Sequence, residues 1–338
     1  MISLDLINEF DFIKSITNPD DGHIYDCYGI KYEKNLLFTK EAHKILYKST
    51  QHGTLKIPQI SMKWGEELFE NLFLLACIKK ALIKKEKFTF VELGAGYGRY
   101  SARACAGYGR YSTRAWKFSR KKNFKILSVE ADPYHYRMML KHFKNNGIQS
   151  QNFEVYQNII SNTNSFINFY ISSKELSKIS NETAQTWFGQ SIVHDWEEKI
   201  NPFINLLKNV IFYINNFYKV PFFKFIQFYK SGFSSIKVKS ISLNKLLQNE
   251  KKVSLIDMDI QGEEINLIKS EIETLNKKVE KMYVATHSKK IEEEIILFLG
   301  KKNWQLKTYL KGETINKTKF GPIKCQDGVQ IWENKNFF

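Results

Sequence analysis

A glycine-rich turn follows an apolar run early in the chain. Residues 88–93 are rich in β-branched and aromatic side chains and predict a buried strand, after which Gly94, Gly96 and Gly98 stand at G-x-G-x-G spacing. Glycine lets the backbone approach a ligand closely and take a positive φ. A helix that begins behind such a turn offers unpaired N–H groups. The pattern therefore predicts that a small molecule binds at the end of this strand.

Three details of the turn favour a cationic ligand. The G-x-G-x-G spacing is tighter than that of dinucleotide sites, and no Lys-Ser or Lys-Thr pair follows as in a phosphate-binding loop. Glu92 stands two residues before the first glycine, where a carboxylate would repel a pyrophosphate but could hold a cation. S-adenosylmethionine (SAM) carries both a sulfonium and an ammonium group. The expected contacts to it are Glu92, Gly94, Ala95, Gly96, Tyr97 and Gly98.

A second acid ends the next predicted strand, which spans 124–130. In nucleotide-binding α/β folds, an acid at this place bonds the ribose hydroxyls, and a carboxylate can accept from both. We therefore expect Glu130 and its neighbour Ala131 to contact the adenosine of the cofactor, with residues 158–161 near the adenine. The alternative is an ordinary strand-end carboxylate that caps the next helix, near Asp132.

Further polar residues follow two later strands. Asp257 lies in the predicted strand 253–258 and Asp259 comes directly after it, while His287 follows the strand 279–286. Asp257 is a candidate cofactor contact. His287 or Asp259 could act as a general base, or the two could share a divalent cation such as Mg²⁺ or Mn²⁺. The alternative is structural: His287 caps the following helix, and Asp257 is buried in hydrogen bonds.

Strand and helix patterns alternate around these motifs. Repeated strand–helix units imply a parallel sheet with helices on both faces, and ligands then lie at the carboxyl ends of the strands, where the strand order reverses. The remaining predicted elements are helices at 64–85, 135–146 and 291–299, strands at 153–160 and 167–172, and an antiparallel pair at 304–310 and 328–332.

An internal repeat follows the glycine turn. Residues 95–101 recur as 106–112, eleven positions later. Eleven residues are about three helical turns, so a duplication could lengthen a helix without turning its face much. Because only the first copy follows a strand, we assign ligand binding to that copy and interpret the second as a helix extension or a bulged loop.

Two segments stand outside the alternation. Residues 1–60 are interpreted as an N-terminal cap or dimerisation segment, and 61–338 as the main domain with an insertion at about 185–235. The insertion contains an aromatic stretch, 203–230, with interspersed lysines. Such a stretch could contact a membrane interface, stack on bases or pack against a partner. Alternatively, its aromatic residues form a core of their own or a homodimer interface.

Composition limits the classes of function. The net charge of +16 is compatible with nucleic acid, a membrane surface or an anionic substrate, or with a lysine-rich composition alone. The four cysteines form no C-x-x-C pair, which favours free thiols in the cytoplasm. We expect no signal peptide, because acids interrupt the apolar N-terminus, and no membrane span, because no uncharged apolar run approaches about 20 residues.

Together these motifs resemble a known family. The run 91–99 resembles the first motif of class I SAM-dependent methyltransferases, and 256–264 resembles the I-D-x-[DE]-x-x-G-x-E motif of the FkbM family. Thr286-His287-Ser288, with Ile291-Glu292-Glu293 after it, and the closing run 327–332 also look like that family. The resemblance covers about 88–334 without the aromatic insertion. The repeat and the long aromatic segment depart from the family pattern.

The resemblance implies a Rossmann-like α/β fold with a seven-stranded methyltransferase sheet, mostly parallel with an antiparallel last strand. It also implies methyl transfer to a hydroxyl, often on a sugar, such as a nucleotide-activated sugar or a unit of a surface polysaccharide. Two alternatives stay open. One is a nucleic-acid methyltransferase, although the place of the Asn/Asp-Pro-Pro-Tyr/Phe motif of base-amino methylases reads Asp259-Ile260-Gln261-Gly262. The other is a non-enzymatic binding module on the same fold.

Overall fold

The structure, a computed structural model, describes residues 23–25, 30–33, 66–96, 110–119, 123–172, 192, 233–319, 321–325 and 327–338. Several predictions fall elsewhere. Tyr97, Gly98, the glycines of the second repeat copy, the aromatic segment 203–230 and most of the N-terminal segment lie outside the described residues.

The described strands follow the chain from the N-terminal pair to the C-terminus. They are β1 (His23–Tyr25), β2 (Lys31–Glu33), β3 (Phe88–Leu93), β4 (Phe124–Val129), β5 (Phe153–Tyr156), β6 (Ile159–Ile160), β7 (Phe166–Ser172), β8 (Phe233–Ile241), β9 (Leu255–Met258), β10 (Lys281–Thr286), β11 (Trp304–Leu310), β12 (Thr314–Thr318), β13 (Gly321–Cys325) and β14 (Gly328–Asn334).

The described α-helices lie between these strands. They are α1 (Glu66–Lys84), α2 (Arg110–Phe118), α3 (Pro133–Asn145), α4 (Leu243–Leu246), α5 (Glu264–Ser270), α6 (Ile272–Lys278) and α7 (Lys289–Leu299). Three of them begin at side-chain caps, one being Ser242, which accepts a hydrogen bond from the N–H of Lys245 at the start of α4. Asp132 accepts hydrogen bonds from the N–H groups of Tyr134 and His135 at the start of α3, and Ser288 accepts one from Ile291 at the start of α7.

The main sheet has seven strands in the order β11-β14-β10-β9-β3-β4-β5. The neighbours from β10 to β5 pair in parallel, and β14 pairs antiparallel with both β10 and β11. This confirms the predicted fold class, a Rossmann-like, mostly parallel seven-stranded sheet whose last strand is antiparallel.

The strand order reverses beside β3. The chain runs from β3 to β4 and β5, then returns to β9 on the other side of β3. The register pairs Leu93 with Val129 on one side and with Met258 on the other. The residues that follow these three positions, Gly94, Glu130 and Asp259, therefore stand together at the carboxyl edge, where open α/β sheets bind their ligands.

Both faces of the central strands are buried, which explains their nearly continuous apolar sequence. Every residue of β3 is buried. Phe88 and Phe90 pack with residues of α1, α2 and α3, whereas Val91 and Leu93 pack on the opposite face with residues of α5, α6 and α7. Full burial of such a side chain contributes about 1.5–3 kcal/mol, so these layers hold the strand ends firmly in place.

The predicted third strand, 153–160, is wrong in its second half. β5 ends at Tyr156, and β6 belongs to a separate three-stranded sheet with the order β6-β8-β7. Asn158 marks the crossing, because its side chain donates to the carbonyl oxygen of Lys239 in β8 at 2.9 Å. β8 and the β12–β13 hairpin were not predicted. No helix in the described part of the chain combines the length and the apolar composition that a membrane crossing requires.

Candidate active site at the strand ends

The glycine turn is packed between the ends of β4 and β9. The N–H groups of Gly94 and Ala95 donate to the carbonyl oxygen of Val129 at 3.0 and 3.1 Å, and the N–H of Asp259 donates to that of Leu93 at 3.0 Å. Gly94 has a φ of +83°, and a Cβ on it would overlap the backbone of Asp259. Only glycine fits here, because the left-handed backbone and the close approach of β9 both exclude a side chain.

Glu130 points at this turn, as the sequence predicted. Its Oε2 accepts the N–H of Gly96 at 2.6 Å, and its Oε1 accepts the N–H of Asp132 at 2.8 Å. Glu130 is buried. Burial and the nearby Asp132 carboxylate raise the pKa of Glu130 to about 8, against the opposing effect of the backbone N–H donors. The helix cap that the sequence left as an alternative role for Glu130 is provided by Asp132.

Glu92 faces helix α2. Its carboxylate accepts hydrogen bonds from the backbone N–H of Ser112, at 3.1 Å, and from the Ser112 hydroxyl, which also lies 2.9 Å from the Ser128 hydroxyl. Asp257 is buried beside Glu92, since the two are register partners on β9 and β3. Ser128, Glu92 and Asp257 thus form a polar row across three strands, and the residue that contacts it belongs to the second repeat copy.

An apolar hollow lies between the glycine turn and β9, and we call it the strand-end hollow. Its lining comprises Gly94, Val129, Glu130, Ala131, Asn158, Ile159, Ile160, Phe169, Ile192, Asp259, Ile260, Gln261 and Glu263. Adenosine-sized ligands favour a mostly apolar pocket with a few polar groups, and this composition matches. The enclosed volume of about 60 Å³ is small. An adenosine would need more room than this.

Three ionisable side chains meet at the ends of β9 and β10, and we call them the acid–histidine cluster: Asp259, Glu264 and His287. His287 Nε2 lies 3.1 Å from Asp259 Oδ1, and His287 Nδ1 lies 3.0 Å from Glu264 Oε1. Both ring nitrogens are therefore engaged by carboxylates. The sequence predicted the meeting of Asp259 with His287 but did not place Glu264 in the site.

The cluster favours a protonated imidazole. Burial on its own would lower the pKa of His287, but the charges of Glu264 and Asp259, together with their hydrogen bonds to the ring, raise it well above the usual value. His287 does not cap the following helix, since Ser288 does so. His287 instead joins the end of β10 to the turn after β9.

The turn after β9 is shaped by its backbone. Gln261 has a φ of +58°, which costs a non-glycine residue roughly 1–2 kcal/mol. In this conformation its amide nitrogen donates to Asp259 Oδ1 at 2.9 Å and lies 3.1 Å from His287 Nε2. Glu264 Oε1 accepts the N–H groups of Ile260 and Gly262, both at 3.1 Å. Strained residues of this kind concentrate at functional sites.

The same cluster has the donors of a divalent-cation site. One ligand atom from each of Asp259, Glu264 and His287 lies within 4.8 Å of the others. Carboxylate oxygens suit Mg²⁺ and Mn²⁺, and one imidazole is compatible with Mn²⁺. The sequence signal that could have found Glu264 is its place in the first turn of α5, directly behind the turn that carries Asp259.

Comparisons with known proteins find similarity in the fold and not in the sequence. No family model matches the chain, and neither does any curated protein. Among solved structures, a methyltransferase FkbM from Methylobacillus flagellatus KT is 9% identical, with a TM-score of 0.37 and coverage of 77% of this chain and 54% of that one. The ribosomal protein L11 methylase of Lactobacillus delbrueckii subsp. bulgaricus is 9% identical, with a TM-score of 0.35 and 78% coverage of both chains.

A third solved structure is the precorrin-6y C5,15-methyltransferase of Geobacter metallireducens GS-15, which is 7% identical, with a TM-score of 0.35 and coverage of 77% of this chain and 86% of that one. Identities and TM-scores this low are no argument for a shared family or substrate. The functional conclusion therefore depends on the geometry of the site itself.

Proposed function

We propose that this chain is a SAM-dependent methyltransferase that transfers a methyl group to a hydroxyl of a sugar, such as a nucleotide-activated sugar. One observation carries the proposal. At the point where the strand order reverses, the glycine turn with Glu130 and the acid–histidine cluster flank the same apolar hollow. This neighbourhood supports a binding role for the turn and a proton-accepting role for the cluster.

The strand-end hollow supports SAM as the cofactor. Ile159, Ile160 and Ile260 offer apolar surface for an adenine, while the carboxylate of Glu130 stands at its edge to accept ribose hydroxyls. The polar row of Glu92 and Asp257 concentrates negative charge behind the glycine turn, which favours a cation. When bound, SAM supplies an electrophilic methyl group on its sulfonium.

Asp259 is the better candidate for the general base. Both nitrogens of His287 are engaged, so the ring offers no free lone pair to a substrate. The Asp259 side chain is 20% exposed, and among the described residues no hydrogen bond reaches its Oδ2. In this proposal Asp259 takes the hydroxyl proton, and His287 and Gln261 hold its carboxylate in position. Proton transfer of this kind contributes about 10²–10⁴-fold to rate.

A divalent cation is a variant of the same proposal. Asp259, Glu264 and His287 would hold it, and the bound hydroxyl would lose its proton more readily. The imidazole would have to be neutral to serve as a ligand, so binding of the metal and binding of the extra proton exclude each other.

Nucleic acid is the second candidate acceptor, and the observation that favours it is the net charge of +16. Phosphate contacts by lysine would make such binding strongly salt-dependent. The turn Asp259-Ile260-Gln261-Gly262 does not favour it, because it lacks the paired prolines and aromatic residue of base-amino methylases.

The experiment that tests the function uses labelled SAM, a panel of nucleotide sugars and oligosaccharides, and a mixed RNA, with mass spectrometry to locate the added methyl. We expect transfer to a sugar hydroxyl, lost in Asp259→Asn. Glu294→Gln is the matched control, because that exposed carboxylate pairs with Lys269 on the surface of α7. Transfer of the methyl group to RNA would refute a sugar acceptor and favour a nucleic-acid methyltransferase. Absence of SAM binding by calorimetry would refute the enzyme and favour a binding module.

A further inference from the structure

A second cavity, of about 1000 Å³, opens on the α1 side of the sheet. It lies between α1, β11, β14 and the β12–β13 hairpin, and it shares no lining residue with the strand-end hollow. Its floor is apolar and includes Phe69, Phe73, Leu310 and Ile331, all of them buried. Its volume is at the upper end of the roughly 300–1,000 Å³ of ligand sites.

The rim of this cavity is strongly basic, and we call it the basic cavity. Among the described residues, seven lysines line it, from α1, β10, β11 and the end of the β12–β13 hairpin, against a single carboxylate, Glu333. Glu333 is shared between two of them, since its oxygens lie 3.6 Å from Lys281 Nζ and 3.2 Å from Lys307 Nζ. Within the described part of the lining, ammonium groups therefore outnumber carboxylates.

The lysines stand close enough to affect each other. Burial and then the positive charge of Lys281 lower the pKa of Lys80. Lys80 Nζ lies 3.8 Å, and Lys281 Nζ 5.7 Å, from the centroid of the Phe338 ring. An anion between these ammonium groups would relieve their repulsion, because opposite charges favour the charged form of each.

We propose that the basic cavity binds an anionic amphiphile, namely an apolar chain that ends in a phosphate or diphosphate. The buried aromatic and aliphatic floor suits the chain, and the lysine rim suits the phosphate, for which lysine is a common point-charge partner. A polynucleotide backbone is a poorer fit, since it has no apolar segment to cover the floor. The proposal is independent of the methyltransferase activity.

The test uses the full chain and dodecyl phosphate, followed by calorimetry below the concentration at which this probe forms micelles. We expect binding that weakens with added salt, together with much weaker binding of dodecyl maltoside and of inorganic diphosphate. Vesicles of phosphatidylcholine with and without phosphatidic acid show whether the same site takes its phosphate from a membrane. If Ala76→Trp, the floor variant described below, bound the vesicles as well as the native chain does, the membrane contact would lie outside the basic cavity, against the membrane as the source of its phosphate.

Two sets of variants separate floor and rim. Ala76→Trp, on the cavity side of α1, fills the floor, and the pair Lys80→Ala with Lys317→Ala reduces the charge of the rim. We expect each to weaken dodecyl phosphate binding by about 10-fold or more, a change of about 1.4 kcal/mol. Lys301→Ala, exposed at the end of α7, is the control. Equal binding of the neutral maltoside, no binding at all, or unchanged binding in the Lys80/Lys317 variant would overturn the proposal.

Discussion

The carbonyl oxygen of Asp259 lies where a Cβ of Gly94 would have to be. This contact joins the end of β9 to the turn after β3, across the point where the strand order reverses. The binding turn and the acid–histidine cluster are therefore mechanically one unit, and a change in the turn should be felt by Asp259.

Replacement of Gly94 tests that coupling. Gly94→Ala adds a methyl group against the backbone of Asp259 at a φ of +83°, so we expect a loss of about 2–4 kcal/mol in the free energy of unfolding and a loss of SAM binding. Gly147→Ala is a matched control, because Gly147 has a φ of +71° but open space around it. Its cost should stay near 1–2 kcal/mol, with SAM binding unchanged. Equal effects of both changes would argue against the coupling.

The affinity for SAM should depend on pH through Glu130. Because its pKa is raised to about 8, the carboxylate form increases as the pH rises through this value. The carboxylate is the form that accepts hydroxyls and attracts a cation, so binding should tighten by up to about 10-fold between pH 7 and 9. Calorimetry would measure this in the native chain and in Glu130→Gln. An identical pH profile in the two proteins would contradict the assigned role.

The protonated ring of His287 should stabilise the fold near neutral pH and lose this effect in alkaline solution. The pKa of His287 in the folded chain is above its unfolded value of about 6.5, so its contribution is fully present below that value and is lost as the pH rises through the folded pKa. Urea unfolding at several pH values, compared with His287→Asn, would give the difference. We expect this difference to shrink in alkaline solution; a difference that grows with pH would show that the ring is neutral in the folded state.

A divalent cation would compete with that proton. If the cluster is a metal site, Mn²⁺ or Mg²⁺ should raise the midpoint of thermal unfolding in the native chain, with release of a proton, and Glu264→Gln should remove both effects. Lys269→Ala, whose partner is the surface residue Glu294, is the control. Full activity in a chelator, with no shift on metal addition, would exclude the metal variant.

The repeat predicts that eleven residues, 99–109, can be deleted without loss of stability. The described contacts of α2 come from the last residue of the second copy and from the residues directly after it: Ser112 binds Glu92, Arg114 donates to Asn71, and Trp116 is buried. Deletion of residues 99–109 joins Gly98 to Arg110 and removes none of the described residues. We expect the free energy of unfolding to be retained, or to rise by about 1–2 kcal/mol because the chain that links β3 to α2 becomes shorter.

A deletion of equal length provides the control for this prediction. Removal of 106–116 leaves the same repeat, but puts Cys105 in the place of Trp116 and Ala102 in that of Thr113. Loss of the buried indole should cost about 3–5 kcal/mol, measured by urea unfolding. If the two deletion variants were equally stable, the second copy would not be the one that the core requires.

The central strands could be predicted because burial on both faces gives them nearly continuous apolar sequences. β3 has the predicted bounds, and β4 ends one residue earlier than predicted. β6 was wrongly joined to β5, since an apolar run does not show where the chain leaves one sheet for another. β8 was missed although its polar and apolar residues alternate as in a strand, because it begins at Phe233 inside the stretch that was interpreted as an insertion.

The site was predictable where it depends on strand ends and not where it depends on a turn. Asp259 and His287 follow neighbouring parallel strands, so topology alone brings them together. Gln261 and Glu264 reach the same place through a positive φ and through the first turn of a short helix. A non-glycine residue with a positive φ leaves no mark in the sequence, which is why Gln261 was not found. Glu264 was missed although its place at the start of α5 could have indicated it.

One pairing has a consequence for how this chain could acquire new acceptors. Ser172 at the end of β7 is the register partner of Phe233 at the start of β8. The two ends of the long stretch between them therefore lie at adjacent positions of one sheet. Inserts anchored in this way can be exchanged between homologous enzymes at little cost to the scaffold, because their ends need not move. In the proposed methyltransferase, acceptor recognition can then change through this stretch while Gly94, Glu130 and Asp259 keep their places at the strand ends.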